Sequence, residues 1–289
     1  MNLVIGATGS LGGLISHRLL QAGDPVRALV REGSDYSSLQ AGGAEVALGD
    51  LKNPRSLQRA CVGAERIIAT ATAAARSGAD TIESVDRQGY ADLVDAAVTA
   101  GVRQFVFVSA HGFDSDSPVG LARAKADTEK ALRSSGLSYT ILRPALFMEA
   151  WISMILGAQL QLGPKVAIMG DPDQPLPFVG VSNVADLALA VLDHEGAESV
   201  SLPLSAQAVS YRQIIQWIDE ITGSSTAIES LPPGTEIPGL PPIVLELWSW
   251  LATGAMEPIE TVGVAVKFGL ALESPRSFVS RTFGKSAIA

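Results

Sequence analysis

The feature that most constrains this chain is a glycine cluster, Gly6-Ala7-Thr8-Gly9-Ser10-Leu11-Gly12, set between a short apolar run and an amphipathic one. Leu3-Val4-Ile5 reads as a buried strand, and Leu11 to Gln21 reads as a helix with Leu11, Leu14, Ile15 and Leu19 along one face. Strand, glycine turn and helix in immediate succession form the context in which glycines at this spacing bind phosphate. Gly6 permits the sharp turn, Gly9 lets backbone N–H groups approach a pyrophosphate, and Gly12 lets helix and strand pack closely. Unpaired N–H groups and the helix dipole then both favour an anion at the helix N-terminus.

The same alternation continues. Val26 to Val30 reads as a second strand, with Arg31 at its C-terminal end. An acidic residue at that point bonds the ribose hydroxyls of NAD, whereas an arginine can take the 2′-phosphate of NADP. The competing reading of Arg31 is a solvated surface side chain. Ala44 to Leu48 is a third strand, followed by Gly49-Asp50-Leu51 and a helix opened by Asn53-Pro54, a capping residue and a first-turn proline. Asp50 either faces the adenine edge or caps its own turn. Arg66 to Thr70 is a fourth strand, and the alanine-rich stretch from Ala71 to Ala79 reads as a loop over the ligand crevice. A helix from Ile82 to Ala100 stops at Gly101, Phe105 to Val108 is a central strand tipped by Ser109, Leu121 to Ser134 is a helix, and Tyr139 to Leu142 is a strand closed by Arg143-Pro144.

This order predicts an α/β protein with a doubly wound parallel Rossmann sheet and a smaller C-terminal α/β cap. Ligands of such sheets bind at the C-terminal ends of the strands. The nucleotide-binding domain is expected over residues 1–145. Residues 146–289 form the substrate-side region, with 178–204 returning to the Rossmann core and the cap lying mainly from about 205. A helix is expected from Phe147 to Leu162, a short strand from Val166 to Met169, and a strand at Phe178 to Val181. The helices Asn183 to Leu192 and Tyr211 to Ile221 follow, then an extended proline-rich stretch from Pro232 to Pro242 and the apolar segment Ile243 to Leu251.

Composition narrows the partners. A net charge of −9 without a lysine or arginine run argues against nucleic acid and anionic membrane surfaces. Cys61 is the only cysteine, so neither a disulfide nor a thiolate metal site is expected, and its place on an apolar helix face points to a buried thiol. His17, His111 and His194 lack ligand spacing, so no metal is expected. The chain begins on a strand with no signal-peptide pattern, and the apolar segment near Ile243 is too short to span a bilayer, so a cytoplasmic location is expected.

The glycine loop, Val26 to Arg31, Gly49-Asp50-Leu51, Phe105 to Ser109 and the run Ser135 to Pro144, with Phe147-Met148-Glu149 after it, resemble the NmrA-like branch of the atypical short-chain dehydrogenase/reductases. Within that branch the chain looks most like the NADPH quinone reductases and triphenylmethane-dye reductases. The resemblance implies NADP(H), preferred over NAD(H), as cofactor. It places Gly6, Thr8, Gly9, Ser10, Leu11 and Gly12 at the pyrophosphate, Arg31 at the 2′-phosphate, and Asp50 and Leu51 beside adenine. Ala69, Thr70, Pro144 and Phe147 would line the nicotinamide end, Lys125 would bond the nicotinamide ribose, and Ser109 would join the cofactor-binding set. The wider superfamily uses a Tyr-x-x-x-Lys pair; here the matching residues read Leu121-Ala122-Arg123-Ala124-Lys125, which retains Lys125 and lacks the tyrosine.

Without that tyrosine, alcohol oxidation and sugar epimerisation lose their usual base. Reduction of a conjugated acceptor demands less, because orientation supplies most of the rate and water can protonate the product. The expectation is an NADPH-dependent reductase of a small quinone-like acceptor. Lys125 would be the catalytic residue, and Phe147, Met148, Trp151 and Phe178 the candidate acceptor pocket. The alternative is an NADP(H)-binding redox sensor with little turnover and a regulatory protein partner. Either form would be a monomer or homodimer.

Overall fold

The computed structural model describes residues 1–284 apart from 75, 77, 193, 255, 257, 258, 260 and 261. In chain order the elements are β1 (Asn2–Ile5), α1 (Ser10–Gln21), β2 (Val26–Val30), α2 (Ser37–Ala41), β3 (Glu45–Leu48), α3 (Pro54–Cys61) and β4 (Arg66–Ala69). A π-helical stretch, Ile82–Gly89, runs directly into α4 (Tyr90–Ala100), followed by β5 (Gln104–Val108), α5 (Gly120–Ser134) and β6 (Ser138–Pro144). Next come β7 (Leu146–Phe147), a second π-helical stretch (Glu149–Leu156), α6 (Gly157–Leu162), β8 (Lys165–Met169), β9 (Leu176–Val179), α7 (Val181–Ala190), β10 (Val200–Leu204) and β11 (Gln207–Val209). The remaining elements are α8 (Tyr211–Thr222), β12 (Ala227–Leu231), α9 (Pro242–Leu251), α10 (Val262–Lys267) and α11 (Pro275–Phe283). Among the described residues no helix is long and apolar enough to cross a membrane.

Two compact units result, one of Met1–Arg143 with Val184–Leu202, the other of Pro144–Asn183 with the chain from Pro203 onward. The first unit holds a seven-stranded sheet in the order β10-β6-β5-β4-β1-β2-β3. β1 pairs in parallel with β2 on one side and β4 on the other, placing Ile5 opposite both Leu29 and Ala69. The strand order therefore reverses at β1, and the crevice of this Rossmann sheet opens between the C-terminal ends of β1 and β4. Every residue of β5 is buried, as an apolar strand in mid-sheet should be. β3 lies at the edge, and its Leu48 is largely exposed.

Local chemistry sets the helix ends. Asn53 accepts from Ser56 N, and Pro54 opens α3. Thr81 and Ser84 form a reciprocal capping pair ahead of the first π-helical stretch. Gly101 closes α4 with φ +69° and ψ +35°, a left-handed conformation that suits glycine. α1 departs from its expected face. Its buried residues are Gly12, Ile15, Ser16 and Leu19, while Leu11 and Leu14 are half-exposed. The small residues Gly12 and Ser16 bring the helix against the sheet, so the tightest packing follows size rather than hydrophobicity.

In the second unit β9 pairs in parallel with β7 and antiparallel with β11, while β8 and β12 form a separate parallel pair. Both carboxylate oxygens of Glu149 accept from Val181 N at 3.1 Å, and Asn183 bridges Ala271 O and Glu273 N at 3.0 and 3.1 Å. The helix expected from Phe147 instead begins after β7, because Leu146 and Phe147 pair with Phe178 and Val179. The expected extended stretch ends differently too. Thr235 N donates to Pro232 O across a turn, and Pro242 becomes the first residue of α9, where a missing N–H costs nothing.

Cys61 is fully buried at the end of α3, and burial pushes its thiol up to about 11. Native protein at pH 8 should react with iodoacetamide about a hundredfold more slowly than urea-unfolded protein, as followed by mass spectrometry, because only the thiolate attacks.

Candidate functional site

The glycine loop is held by contacts that only glycine allows. A Cβ on Gly12 would lie 2.2 Å from Gly6 O and 2.8 Å from Thr70 Oγ1. Gly6, at φ +87°, packs on the same hydroxyl, which donates to Ile5 O at 3.1 Å. Thr70 therefore backs the loop from beneath and joins the ends of β1 and β4. Gly9 differs: the only atom close to its Cβ position is Gly6 O at 3.3 Å, and it is exposed together with Thr8 and Ser10. Gly9, the N-cap of α1, has no side chain with which to cap the helix. First-turn N–H groups thus remain for an anion to take.

From this loop an open cleft runs across the ends of β1, β2 and β3. Ile5, Gly6 and Thr8 line it from β1, Leu29 and Arg31 from β2, and Gly49, Asp50 and Leu51 from the turn after β3; Ala71, Arg76 and Val85 complete it. Asp50 caps its own turn, the second of its two expected roles. It lines the cleft, and its Oδ1 also accepts from Lys52 N at 2.8 Å, closing its own turn. Arg31 is no free surface cation. Its Nη1 donates to Asp80 Oδ2 at 2.5 Å, Arg76 Nη1 reaches the same oxygen at 3.3 Å, and Lys52 Nζ bonds Oδ1. The Lys52 bond, reinforced by Arg31 and Arg76, outweighs burial and holds the Asp80 carboxyl below the usual carboxylate range. Sequence reasoning missed Lys52, Arg76 and Asp80. The one available signal was a lysine two positions past Asp50.

At the ends of β4 and β5, Ala69 is fully buried, and Lys125 is buried rather than solvated. Lys125 Nζ donates to Val108 O at 2.8 Å and lies 5.1 Å from the centroid of the Phe107 ring. Burial pulls its pKa down, against the pull of Asp86 and Glu129. Asp86, on the first π-helical stretch, is 2% exposed; its Oδ2 accepts from Ala73 N at 2.9 Å, while Oδ1 has no partner among the described residues. Burial raises the Asp86 pKa, and Lys125 opposes it. Tyr90, one turn further along, donates from its phenol to Ala71 O at 2.7 Å. Leu121, one turn before Lys125, is buried. The Ser109 hydroxyl is committed. It donates at 2.7 Å to Glu129 Oε1, a buried carboxylate that also binds Arg133 and Arg143.

In the second unit, Pro144 is buried and Phe147, half-buried, keeps exposed surface. Met148 and Phe178 have none, and Trp151 has little. Phe178 meets Tyr211 edge-on at 6.1 Å, Trp151 meets Trp248 at 6.0 Å, and Tyr211 lies 5.7 Å from Trp248. Met148, Trp151 and Phe178, expected as pocket lining, are thus interior residues, the two aromatic ones within an aromatic cluster. Large apolar side chains at helix and strand spacing bury one another first. Within that cluster Tyr211 Oη and Trp248 Nε1 have no hydrogen-bond partner among the described residues.

Residues 2–244 match the family model of the NmrA-like family. The chain belongs to the NmrA-like family. Among its relatives, the NAD(P)H azoreductase of Xenophilus azovorans is 28% identical over 77% of this chain and 74% of its own. The photosystem II assembly factor Ycf39 of Cyanophora paradoxa is 31% identical over 80% of this chain and 71% of its own. This NmrA-like chain also shares its fold with the NADPH-dependent quinone oxidoreductase of Escherichia coli, solved with NADPH. That structure superposes with a TM-score of 0.81 at 22% identity, covering 98% of this chain and 100% of the other.

The two loop glycines should respond differently to a methyl group. Gly12→Ala drives a Cβ into backbone and should lower unfolding free energy in urea by about 2 kcal/mol or more. Gly9→Ala should leave the urea midpoint nearly unchanged yet weaken binding of a pyrophosphate ligand at least about tenfold by calorimetry, since the methyl stands where the ligand approaches.

Proposed function

We propose that this protein is an NADP(H)-dependent reductase of a small, flat, conjugated acceptor of the quinone type, acting by direct hydride transfer. The observation that carries the reading is a single cleft lined by the glycine loop, by two arginines, Arg31 and Arg76, and by Asp50 and Leu51. That donor set suits a dinucleotide with a 2′-phosphate. Backbone N–H groups of Ser10 and Leu11 seat the pyrophosphate, the Gly9 N–H being spent on Gly6 O at 2.9 Å; Leu51 packs against adenine beside Asp50, and the guanidinium of Arg31 takes the 2′-phosphate. A nicotinamide held there supplies a hydride to an electron-poor carbon.

The chain's own residues supply position and charge. Lys125 spends one ammonium proton on Val108 O, which leaves donors for the nicotinamide ribose and for negative charge developing on the acceptor. Ala69, Thr70 and Ser109 stand at the strand ends that flank that ribose. Within the second unit, half-buried Phe147 keeps aromatic surface on which a flat ring can stack. Because Leu121 stands in the place of a proton-donating tyrosine, solvent completes the protonation. The azoreductase, a relative of similar length, supports reduction of a conjugated acceptor.

A second reading, a cofactor-sensing protein that acts on a partner, is favoured by the 31% identity to an assembly factor.

Steady consumption of NADPH at 340 nm with a panel of quinones and azo dyes is the expected result. Lys125→Met should cut kcat/KM at least about tenfold while native near-ultraviolet circular dichroism is retained. Protein that binds NADPH and turns over none of the panel would overturn the reductase reading in favour of the sensor.

A further inference from the structure

Asp80 has no role in the scheme above, yet it is the best-connected carboxylate near the cleft. Its side chain is only 9% exposed, and it is held by cations from three separate parts of the first unit: Arg31 after β2, Lys52 after β3 and Arg76 after β4. Arg31 and Arg76 line the cleft, whereas Asp80 does not, so it draws on the two guanidinium groups from outside the cavity. Each arginine spends a single nitrogen on it. Three cations facing one carboxylate leave positive charge uncompensated, and a second carboxylate, Asp50, approaches Lys52 only to 3.7 Å.

A phosphate dianion entering the cleft wants the same donors. Guanidinium groups bind phosphate through paired N–H bonds, and those bonds are strongest when no other anion shares the donors. Resting on the NADP(H) reading, we propose that Asp80 is an internal competitor for the 2′-phosphate. In the free protein it gathers Arg31, Lys52 and Arg76 and prevents their mutual repulsion. When the 2′-phosphate docks, Asp80 must share or release them. NAD(H), lacking that phosphate, leaves the Asp80 bonds in place. Asp80 therefore sets how far the protein prefers one cofactor over the other, and it eases release of the phosphorylated one. Repulsion between the carboxylate and a dianion outweighs the order that Asp80 imposes on two half-exposed arginines, because a charge pair in a partly dry cleft is weakly screened.

Asp80→Asn keeps the shape and an acceptor oxygen while removing the charge. By calorimetry it should bind NADP⁺ and the fragment 2′,5′-ADP about tenfold more tightly than the wild type, with NAD⁺ and 5′-AMP changed less than about twofold. Lys52→Met should move the same ligands the opposite way. Wild-type protein that fails to prefer NADP⁺ over NAD⁺ would overturn the cofactor reading itself. A wild type that prefers NADP⁺, with an Asp80→Asn variant that binds it equally or more weakly, would overturn only the role given to Asp80. Should Asp80→Asn lose its cooperative melt, Asp80→Ser carries the same comparison.

Discussion

The first unit depends on one close approach, that of the Gly12 backbone to the carbonyl of Gly6 above the hydroxyl of Thr70. Three elements meet there: the end of β1, the start of α1 and the end of β4. A side chain at either glycine would separate α1 from the sheet, and the cleft across β1, β2 and β3 would lose its floor. Phosphate binding at such a loop is thus a by-product of packing. The residues that must be small for helix and strand to touch are the same ones that leave N–H groups bare.

Around that floor the protein arranges charge in two different ways. At the outer end of the cleft, Arg31, Lys52 and Arg76 share one carboxylate and keep a positive excess, partly open to water. Elsewhere in the first unit, Lys125 and Asp86 are both buried and each is bonded to backbone. Their pKa values are pushed toward each other by the loss of water, each resisting through the other's charge. The Glu129 network with Ser109, Arg133 and Arg143 locks the tip of β5.

The sheet was legible because its signals are local. Apolar runs such as Phe105 to Val108, stops such as Gly101, and the capping pair Asn53-Pro54 each act within a few residues. The glycine loop and the lining of the cleft by Arg31 and Asp50 follow from strand tips. Asp80, Lys52 and Arg76 were illegible because they meet only through three-dimensional folding, across separate turns with no shared periodicity. Asp86 was hidden for another reason: a polar residue on a long helix looks solvated until the π-helical turn carrying it is seen to face Lys125. Aromatic residues misled in the opposite sense. Phe178 and Trp151 carry the chemistry of a pocket, but they also carry the largest apolar surface, and Tyr211 and Trp248 claimed it.

The division of the chain has a consequence for how it is made and how it can be shortened. The first unit is interrupted: the chain passes from Arg143 into the second unit and returns only at Val184. Val191 O receives Gln104 Nε2 at 3.0 Å, and Ala197 O receives the Thr140 hydroxyl at 2.6 Å. A fragment ending at Arg143 would leave both groups bare beside β6, newly exposed as a sheet edge. During synthesis the first unit cannot be completed until the chain as far as Leu202 has been made, so no single cut of the chain separates the two units.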